Sequence, residues 1–337
     1  MERGRERAHP FVELSARELD WFVGRALPGA RVVAAFPLRS GLRNTNYRLD
    51  FAGGRSAVLR LYVADPEVCA REAAVLAAVA GRLPAPRVLH SDAAAQPPFA
   101  LLGWLDGQPL DEVLVGADAA TAVEIATGCG ATLSRIHEIH FPAAGFFGSD
   151  LSVIRPMPAW ATAVLEALTG RVEGRLGPAL SDRVRATVDS NASAVESVWS
   201  GAVLVHADFR ASNLLVREGA DPSDIPRLRS GRDAAYRSTE SAAGRWRLAG
   251  ILDWEFACAG CKLIDFSAFL RNDGSRPPGF NDAFAAAYLA AGGALPADWR
   301  RLTGLVDLLN LLQLLAWADN LAATELRRLV TETVDGP

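Results

Sequence analysis

The sequence predicts an α+β fold built as two lobes, and the order of strand-like and helical patterns along the chain is what predicts it. Short apolar runs separated by turn residues fill most of the first hundred positions. Apolar residues at helical spacing dominate from about position 118 onward. A β-rich first third followed by a helical remainder is typical of an α+β arrangement, and 337 residues suffice for two buried cores.

The first third begins with a helix and continues with strands. Ser15 as N-cap and Glu18 three residues later form a capping box that predicts a helix over 15–27. Glycines 53 and 54 separate two strand-like runs and indicate a hairpin. A second helix opens at Asp65-Pro66 and ends at Ala80. The predicted strands are 31–38, 45–52, 56–63, 86–90 and 98–103.

The remainder is predicted to be mainly helical, so we expect a first lobe over 1–103 and a second over 104–337. Segment 218–247 is rich in Asp, Ser, Gly and Arg and contains few large apolar side chains. Such a composition cannot supply a packed core, and we interpret the segment as a mobile surface insertion. The predicted helices are 118–140, 157–169, 179–199, 281–291 and 300–320.

The charge balance excludes several classes of partner. Lys and Arg together number 35 against 39 for Asp and Glu, so the net charge is −4 and no basic excess indicates nucleic acid. No secretory signal opens the sequence, and the apolar stretch 305–318 is shorter than the roughly 20 residues that a membrane span needs. We therefore expect a cytoplasmic protein without membrane or nucleic-acid partners, and its oligomeric state stays open.

Two local patterns resemble metal sites without meeting their requirements. Cys258 and Cys261 form a C-x-x-C pair, but no second pair of close ligands adjoins it. We interpret them as small residues in a tight turn, with a redox-active pair as the alternative. His137 and His140 are three residues apart, whereas the zinc-binding helix motif spaces its histidines by four, so a structural role is expected for them.

The strongest chemical signal is a pair of polar turns that follow apolar runs. One run leads into His206-Ala-Asp208, with Asn213 five residues beyond the aspartate, and the other leads into Asp253-Trp-Glu255. Phosphoryl transfer from ATP uses this inventory, because one carboxylate orients the hydroxyl and accepts its proton. An asparagine and a second carboxylate then hold the Mg²⁺ that bridges the phosphates.

The pattern H-x-D-x-x-x-x-N followed by D-W-E resembles the aminoglycoside phosphotransferase family, the small-molecule branch of the protein-kinase-like superfamily. The similarity covers about residues 30–320 in the right order. It implies a bilobal protein-kinase-like fold, with a small nucleotide-binding N-lobe and a larger, mainly helical C-lobe that holds the acceptor. By this resemblance Asp208 is the catalytic base, and Asn213 and Asp253 are Mg²⁺ ligands. His206 would brace the loop.

The resemblance also implies a nucleotide site in the first lobe. Gly41, Asn44 and Thr45 lie between two predicted strands, where backbone N–H groups would cover the nucleotide phosphates as in the family's nucleotide loop. The kinase-like pattern pairs a cation on the third strand with a glutamate on the following helix, and Arg60 and Glu72 fit these positions. An exposed strand arginine and a solvated glutamate are the alternative for this pair.

Only one of the 35 basic residues is a lysine, Lys262, and it falls after the metal aspartate in the sequence. The phosphate-binding cation of the third strand must therefore be an arginine, whose planar fork can bind phosphate oxygens bidentately.

Three further residues receive roles through the same resemblance. The segment after the fifth strand matches the linker between lobes, so adenine would bond the backbone C=O of Gly103 and the N–H of Leu105. Arg210 stands where protein kinases carry a lysine that touches the moving phosphate, and a solvated loop arginine is the alternative. Asp265 matches an aspartate that anchors the catalytic loop.

These observations predict an ATP- and Mg²⁺-dependent phosphotransferase that acts on a hydroxyl of a small molecule. The favoured acceptor is an aminoglycoside-like or other antibiotic, as for a resistance enzyme. A kinase for a metabolite such as choline, homoserine or methylthioribose is the alternative, followed by a nucleotide-binding pseudokinase. The pseudokinase hypothesis predicts that Asp208, Asn213 or Asp253 is replaced by another residue, and all three are present.

The acceptor site is weakly marked in the sequence. A polycationic aminoglycoside would need several carboxylates in the cleft, and Asp307, Asp319 and Glu255 are candidates without forming an evident cluster. Polar residues at helical spacing within 300–320 could line this site, but we favour an ordinary solvent-facing side for them.

Overall fold

The computed structural model describes residues 9–39, 43–219, 246–271 and 276–336. Its N-terminal part is built on a five-stranded sheet and its C-terminal part is mainly helical, which confirms the predicted α+β class. The strands are β1 (Val32–Leu38), β2 (Thr45–Phe51), β3 (Ser56–Leu61), β4 (Val88–Asp92), β5 (Phe99–Gly103), β6 (Gln108–Pro109), β7 (Gly145–Phe147), β8 (Val153–Pro156), β9 (Val203–Val205), β10 (Leu214–Glu218), β11 (Trp246–Ile251) and β12 (Cys258–Gly260). The helices are α1 (Ala16–Ala26), α2 (Val68–Val79), α3 (Leu110–Leu114), α4 (Ala119–His137), α5 (Trp160–Ala167), α6 (Arg171–Leu176), α7 (Pro178–Trp199), α8 (Leu263–Leu270), α9 (Phe280–Ala290), α10 (Trp299–Trp317) and α11 (Asn320–Asp335).

The N-terminal sheet is antiparallel, with strand order β1-β2-β3-β5-β4. Helix α1 starts at the predicted capping box, since Ser15 and Glu18 bond each other's backbone N–H groups. The apolar face of α1 packs with alternate residues of β2 and β3, among them Leu49 and Leu59, to form one core. Residues on the other face of the sheet, among them Ala100 and Leu102, join α2 in the main core. The sheet is therefore covered on both faces.

Helices α4 and α9 pack closely against each other in the C-terminal part. Gly130 permits this approach, because a Cβ atom there would collide with the carbonyl oxygen of Phe284. The helix predicted over 300–320 is α10, which ends at Trp317, and it is followed by a helix that we did not predict, α11. Asp319 caps the start of α11 by accepting a hydrogen bond from the backbone N–H of Ala322 at 2.8 Å.

The predicted insertion 218–247 lies mostly outside the described residues, which stop at 219 and resume at 246. Its two ends belong to β10 and β11, which pair antiparallel with Glu218 opposite Trp246. β10 begins just after the turn that carries Asn213, and β11 ends just before the turn that carries Asp253. The two turns are neighbours because Leu214 is paired with Ile251. Across the described residues no helix is long and apolar enough to cross a membrane.

A buried polar group ties the catalytic-loop segment after β9 to the helices. Asp265, on α8, accepts hydrogen bonds from the backbone N–H groups of His206 at 2.9 Å and Ala207 at 2.8 Å. Ala207 has a φ of +63°, a conformation that costs a non-glycine residue free energy, so the loop needs such an anchor. The structural role expected for Asp265 is confirmed.

His137 completes this anchor from the end of α4. Its Nε2 lies 3.1 Å from the Asp265 carboxylate and its Nδ1 lies 3.0 Å from the Tyr288 hydroxyl. A neutral ring that donates from Nε2 and accepts at Nδ1 satisfies both partners. Burial lowers the pKa of His137 against the opposing effect of Asp265, which keeps the ring neutral. The structural role expected for His137 is therefore confirmed.

Replacing Asp265 should destabilise the fold. In Asp265→Asn one backbone N–H loses its acceptor and faces an amide NH₂ instead, so we expect the free energy of unfolding to fall by about 2 kcal/mol. Denaturant unfolding measures this loss. Asp282→Asn, at a highly exposed carboxylate, is the matched control and should change stability by less than about 1 kcal/mol. Equal stability of the two variants would contradict the anchor.

His137 should give the fold a measurable pH dependence. A histidine in the unfolded chain has a pKa of about 6.5, whereas burial lowers the pKa of His137 in the folded protein. Below about pH 6.5 the unfolded state therefore binds a proton that the folded state does not, and stability falls as the pH is lowered. His137→Gln should reduce the difference in unfolding free energy between pH 7 and pH 5. The exposed control His140→Gln should leave that difference at the wild-type value.

Candidate active site

Two paired strands bring the polar turns of the sequence together. The turn after β9 carries Asp208, and a 3₁₀ turn over Ala211–Asn213 leads into β10. The backbone N–H of Leu252, at the end of β11, donates to the carbonyl oxygen of Asn213 at 2.8 Å. Asn213 and Asp253 therefore stand side by side at one end of the β10–β11 pair, as the order of the motifs predicted.

Asp208 has a neighbour on each carboxylate oxygen. The side-chain NH₂ of Asn213 donates to Oδ2 at 2.8 Å, and Nε of Arg210 lies 3.1 Å from Oδ1. The Asp208 side chain keeps 22% of its surface exposed, enough for a small molecule to reach it. Burial raises the pKa of Asp208, and the charge of Arg210 opposes that rise. The carboxylate is held in place and remains accessible.

His206 supports both turns from below. Its Nε2 lies 2.9 Å from the carbonyl oxygen of Leu252, and its Nδ1 accepts the backbone N–H of Asp208 at 3.2 Å. Donation from Nε2 and acceptance at Nδ1 account for both bonds. His206 is fully buried, so it links the two turns and does not reach a substrate, which confirms the bracing role expected for it.

Arg60 joins the N-terminal sheet to this site. Its Nε lies 3.1 Å from Glu72 on α2, its Nη2 lies 2.5 Å from Asp253, and the same nitrogen is 3.4 Å from Glu255. The Arg60 and Glu72 side chains are 9% and 2% exposed, so the alternative of an exposed arginine and a solvated glutamate is wrong. Glu72 also accepts the backbone N–H of Trp254 at 3.1 Å. The predicted cation–glutamate pair is present and touches the Asp253 turn.

The charges around Arg60 define the protonation of the site. Burial would raise the pKa of Asp253, but Arg60 lowers it below its ordinary value and keeps the carboxylate ionised. Burial and the neighbouring Asp253 raise the pKa of Glu255 to about 7. Asp253 also has a φ of +67°, so the turn that presents it is held in a strained conformation.

The segment that precedes β2 reaches down to the same cluster. The side-chain NH₂ of Asn44 donates to Glu255 at 2.7 Å, and the Arg43 guanidinium lies over the Phe256 ring. The Thr45 hydroxyl points the other way and accepts the backbone N–H of Val12 at 3.0 Å. Gly41, the third residue predicted in this loop, lies outside the described residues.

Glu255 is the group that sequence reasoning misplaced, because we considered it as a carboxylate for a cationic acceptor. The structure places it with Arg60 and Asn44 on the side of the N-terminal sheet. Its spacing of two residues from Asp253 in D-W-E was the available signal, since a 3₁₀ turn over Trp254–Phe256 keeps both carboxylates close.

The segment predicted to receive adenine links the two parts of the chain. Gly103 ends β5 and its N–H donates to the carbonyl oxygen of Arg87 at 2.8 Å. The Leu105 side chain lies against Gly250 of β11, where a Cβ atom would come within 2.9 Å of it. Both residues are half-buried at this crossing, and no contact in the structure tests their proposed role.

The remaining candidate carboxylates have partners within the chain. Asp307 receives two hydrogen bonds from Arg271, at 2.9 and 2.5 Å, and is buried. The solvent-facing position expected for it is therefore wrong. Asp319 caps α11. Since Glu255 belongs to the Arg60 cluster, the three carboxylates do not form a common anionic surface.

The described residues contain no group of three or more His, Cys, Asp or Glu side chains arranged to hold a metal ion by themselves. Cys258 and Cys261 are free and buried, and burial raises the pKa of their thiols to about 12 and about 11. Protonated, inaccessible thiols support the packing interpretation over a redox-active pair.

Comparison with known proteins identifies the same pattern. A family model described as APH, phosphotransferase enzyme family, matches residues 35–223, more than half of the chain. No curated protein sequence matches. Among solved structures, aminoglycoside phosphotransferase APH(4)-Ia superposes with a TM-score of 0.66 at 17% identity, over 95% of this chain and 99% of its own.

Two other solved structures have the same fold. The macrolide 2′-phosphotransferase MphH from Brachybacterium faecium gives a TM-score of 0.61 at 18% identity, over 92% of this chain and 98% of its own. A protein described as a fructosamine-3-kinase from Thermobifida fusca gives 0.62 at 17% identity, over 96% and 100%. At such identities these likenesses establish the protein-kinase-like fold. From its family match, this chain belongs to the phosphotransferase enzyme family and is a small-molecule phosphotransferase with an alcohol group as acceptor.

Proposed function

We propose that this protein is an ATP- and Mg²⁺-dependent kinase that transfers the γ-phosphoryl group to a hydroxyl of an antibiotic-like small molecule. The observation that carries the proposal is the contact of Arg60 with Asp253, next to Asp208 and Asn213. This contact brings the proposed phosphate-binding cation, Arg60, close to the proposed Mg²⁺ ligands and to the proposed catalytic base, Asp208. Residues 1–103 would form the nucleotide lobe and 104–337 the catalytic and acceptor lobe.

Solved relatives support a nucleotide as the phosphoryl donor. A variant of APH(4)-Ia was solved with AMP-PNP and hygromycin B, and another aminoglycoside phosphotransferase with GDP and kanamycin. In this chain the adenine of the nucleotide would form hydrogen bonds with the backbone of Gly103 and Leu105. The phosphates would lie under the segment containing Gly41, Asn44 and Thr45. Since the Asn44 and Thr45 side chains are already hydrogen-bonded, these residues would act through their backbone N–H groups.

Asn213 and Asp253 fit the requirements of Mg²⁺. The NH₂ of Asn213 is turned towards Asp208, which leaves its amide oxygen for another partner, and Arg60 keeps Asp253 ionised. Two oxygen donors, supplemented by phosphates and water, are the coordination that Mg²⁺ prefers. When bound, the ion would neutralise charge on the phosphates.

Asp208 would orient the acceptor hydroxyl and take up its proton. The Asn213 and Arg210 contacts fix the carboxylate, and its partial exposure leaves room for the hydroxyl. Arg210 would place positive charge next to the phosphoryl group as negative charge develops on its oxygens. Arg60, paired with Glu72, would hold the non-transferred phosphates.

An antibiotic acceptor of the resistance type remains the first hypothesis, with a metabolite kinase as the second. The named relatives act on aminoglycosides, macrolides or fructosamines, so they support several acceptor classes. Asp307, Asp319 and Glu255 are engaged within the chain, which gives a polycationic acceptor no ready anionic surface among them. An acceptor series should therefore include macrolides and singly charged metabolites.

The function is tested by ADP release with aminoglycosides, macrolides, choline and other hydroxylated amines. With a productive acceptor, Asp208→Asn should lower kcat by about 100-fold or more, since it removes the proton acceptor. Asp189→Asn, an exposed carboxylate on α7, is the matched control and should keep wild-type kcat. If nucleotide binds but no acceptor releases ADP above the Asp208→Asn level, a pseudokinase is supported instead.

Arg60 should determine the affinity for ATP. Arg60→Lys keeps the charge but cannot bind phosphate and Glu72 with a fork, so we expect the KM for ATP to rise about tenfold. Arg60→Ala should raise it markedly further and also lower Tm, because it leaves buried carboxylates without a counter-charge. Arg55→Lys, exposed at the start of β3, is the control. An unchanged KM in Arg60→Lys and Arg60→Ala would show that the strand cation is dispensable.

A further inference from the structure

Strand β2 separates its side chains cleanly between the two faces of the N-terminal sheet. Thr45, Tyr47, Leu49 and Phe51 are buried, and every residue between them is only partly buried. Because side chains alternate along a strand, Asn46 projects from the face opposite to this buried row.

Asn46 lies on the same face as Arg60. The two residues are directly opposite each other in the antiparallel β2–β3 register. Cβ atoms of such pairs are about 4.5–5.5 Å apart and on the same side of the sheet. Arg60 extends from this face to Asp253. Asn46 therefore lies beside the region in which the proposed function would place the nucleotide phosphates.

Asn46 differs from its neighbours on that face in its hydrogen bonding. Arg48 donates to Asp50 at 2.9 Å, and Asp50 also accepts from Ser56. The side-chain oxygen of Asn46 is buried, yet it finds no hydrogen-bond partner among the described residues. An amide oxygen without a donor costs free energy, whereas the amide turned by half a rotation places its NH₂ at the same position, where a phosphate oxygen could accept from it.

We propose that the Asn46 side chain binds the phosphate oxygens of the nucleotide together with Arg60. The amide carries two N–H donors, and rotation about its terminal torsion brings the NH₂ to the position of the unpartnered oxygen. Arg60 supplies charge and Asn46 supplies a neutral donor from the adjacent strand. Asn46 is then the side-chain ligand of the β2 segment, whereas Asn44 and Thr45 contribute backbone groups. This inference rests on the proposed function.

Calorimetric titration with ATP, ADP and adenosine tests the proposal in the absence of acceptor. Asn46→Leu keeps the side-chain volume and removes the donors, so ATP and ADP should bind about tenfold or more weakly while adenosine binding stays unchanged. Asn46→Asp should weaken ATP further, because a carboxylate repels the phosphates. Asp50→Asn, on the same face of β2, is the control and should retain all three affinities.

The possible results distinguish a failure of the inference about Asn46 from a failure of the proposed function. Wild-type affinity for ATP in Asn46→Leu overturns the role of Asn46, and so does an equal loss of adenosine binding, since that would indicate an effect on the base site or on folding. Tm measurements on the same samples exclude unfolding as the cause of a loss. A wild-type protein that binds neither ATP nor ADP overturns the inference and the proposed function together.

Discussion

The structure depends on one guanidinium group placed among three carboxylates. Arg60 reaches Glu72, Asp253 and Glu255 from the middle of the N-terminal sheet. Glu72 belongs to α2, whereas Asp253 and Glu255 belong to the turn after β11. Two buried carboxylates next to Asp253 would repel it without this cation. The position of α2 against the sheet and the strained turn of Asp253 thus rest on one shared charge. A phosphate that binds here must compete for the same group.

A second constraint fixes the catalytic loop independently of Arg60. Asp265 holds the left-handed backbone at Ala207 by accepting from two N–H groups. The His137 ring links Asp265 to α4, and the His206 ring links the loop to Leu252. None of these contacts involves a residue of the N-terminal sheet. The loop that carries Asp208 and the N-terminal sheet are therefore organised by separate buried networks. They meet at the Asp253 turn, where the carbonyl oxygen of Leu252 lies against Nε2 of His206 and the backbone N–H of Trp254 donates to Glu72.

The fold was predictable because its signals are local. The Ser15–Glu18 capping box, the glycine hairpin and the helical periodicity require no knowledge of distant residues, and the structure contains each of them. Helix α11 was not predicted, and the bond by which Asp319 caps its first turn is visible only in the structure. Asn213 and Asp253 could be paired from the order of the motifs. The positions of Glu255 and Asp307 could not, since each depends on a partner far away in sequence, Asn44 or Arg271.

The near absence of lysine has a chemical consequence beyond phosphate recognition. Lys262 carries the single side-chain amine of the sequence, and its Nζ donates to the carbonyl oxygen of Ala294, away from the Arg60 cluster. Guanidinium groups stay protonated and resist acylation under conditions that modify amines. The charges proposed to bind a nucleotide are therefore built from a group that acetylation does not neutralise. Amine-selective acylation, which inactivates a kinase that depends on a lysine, would find no target among them.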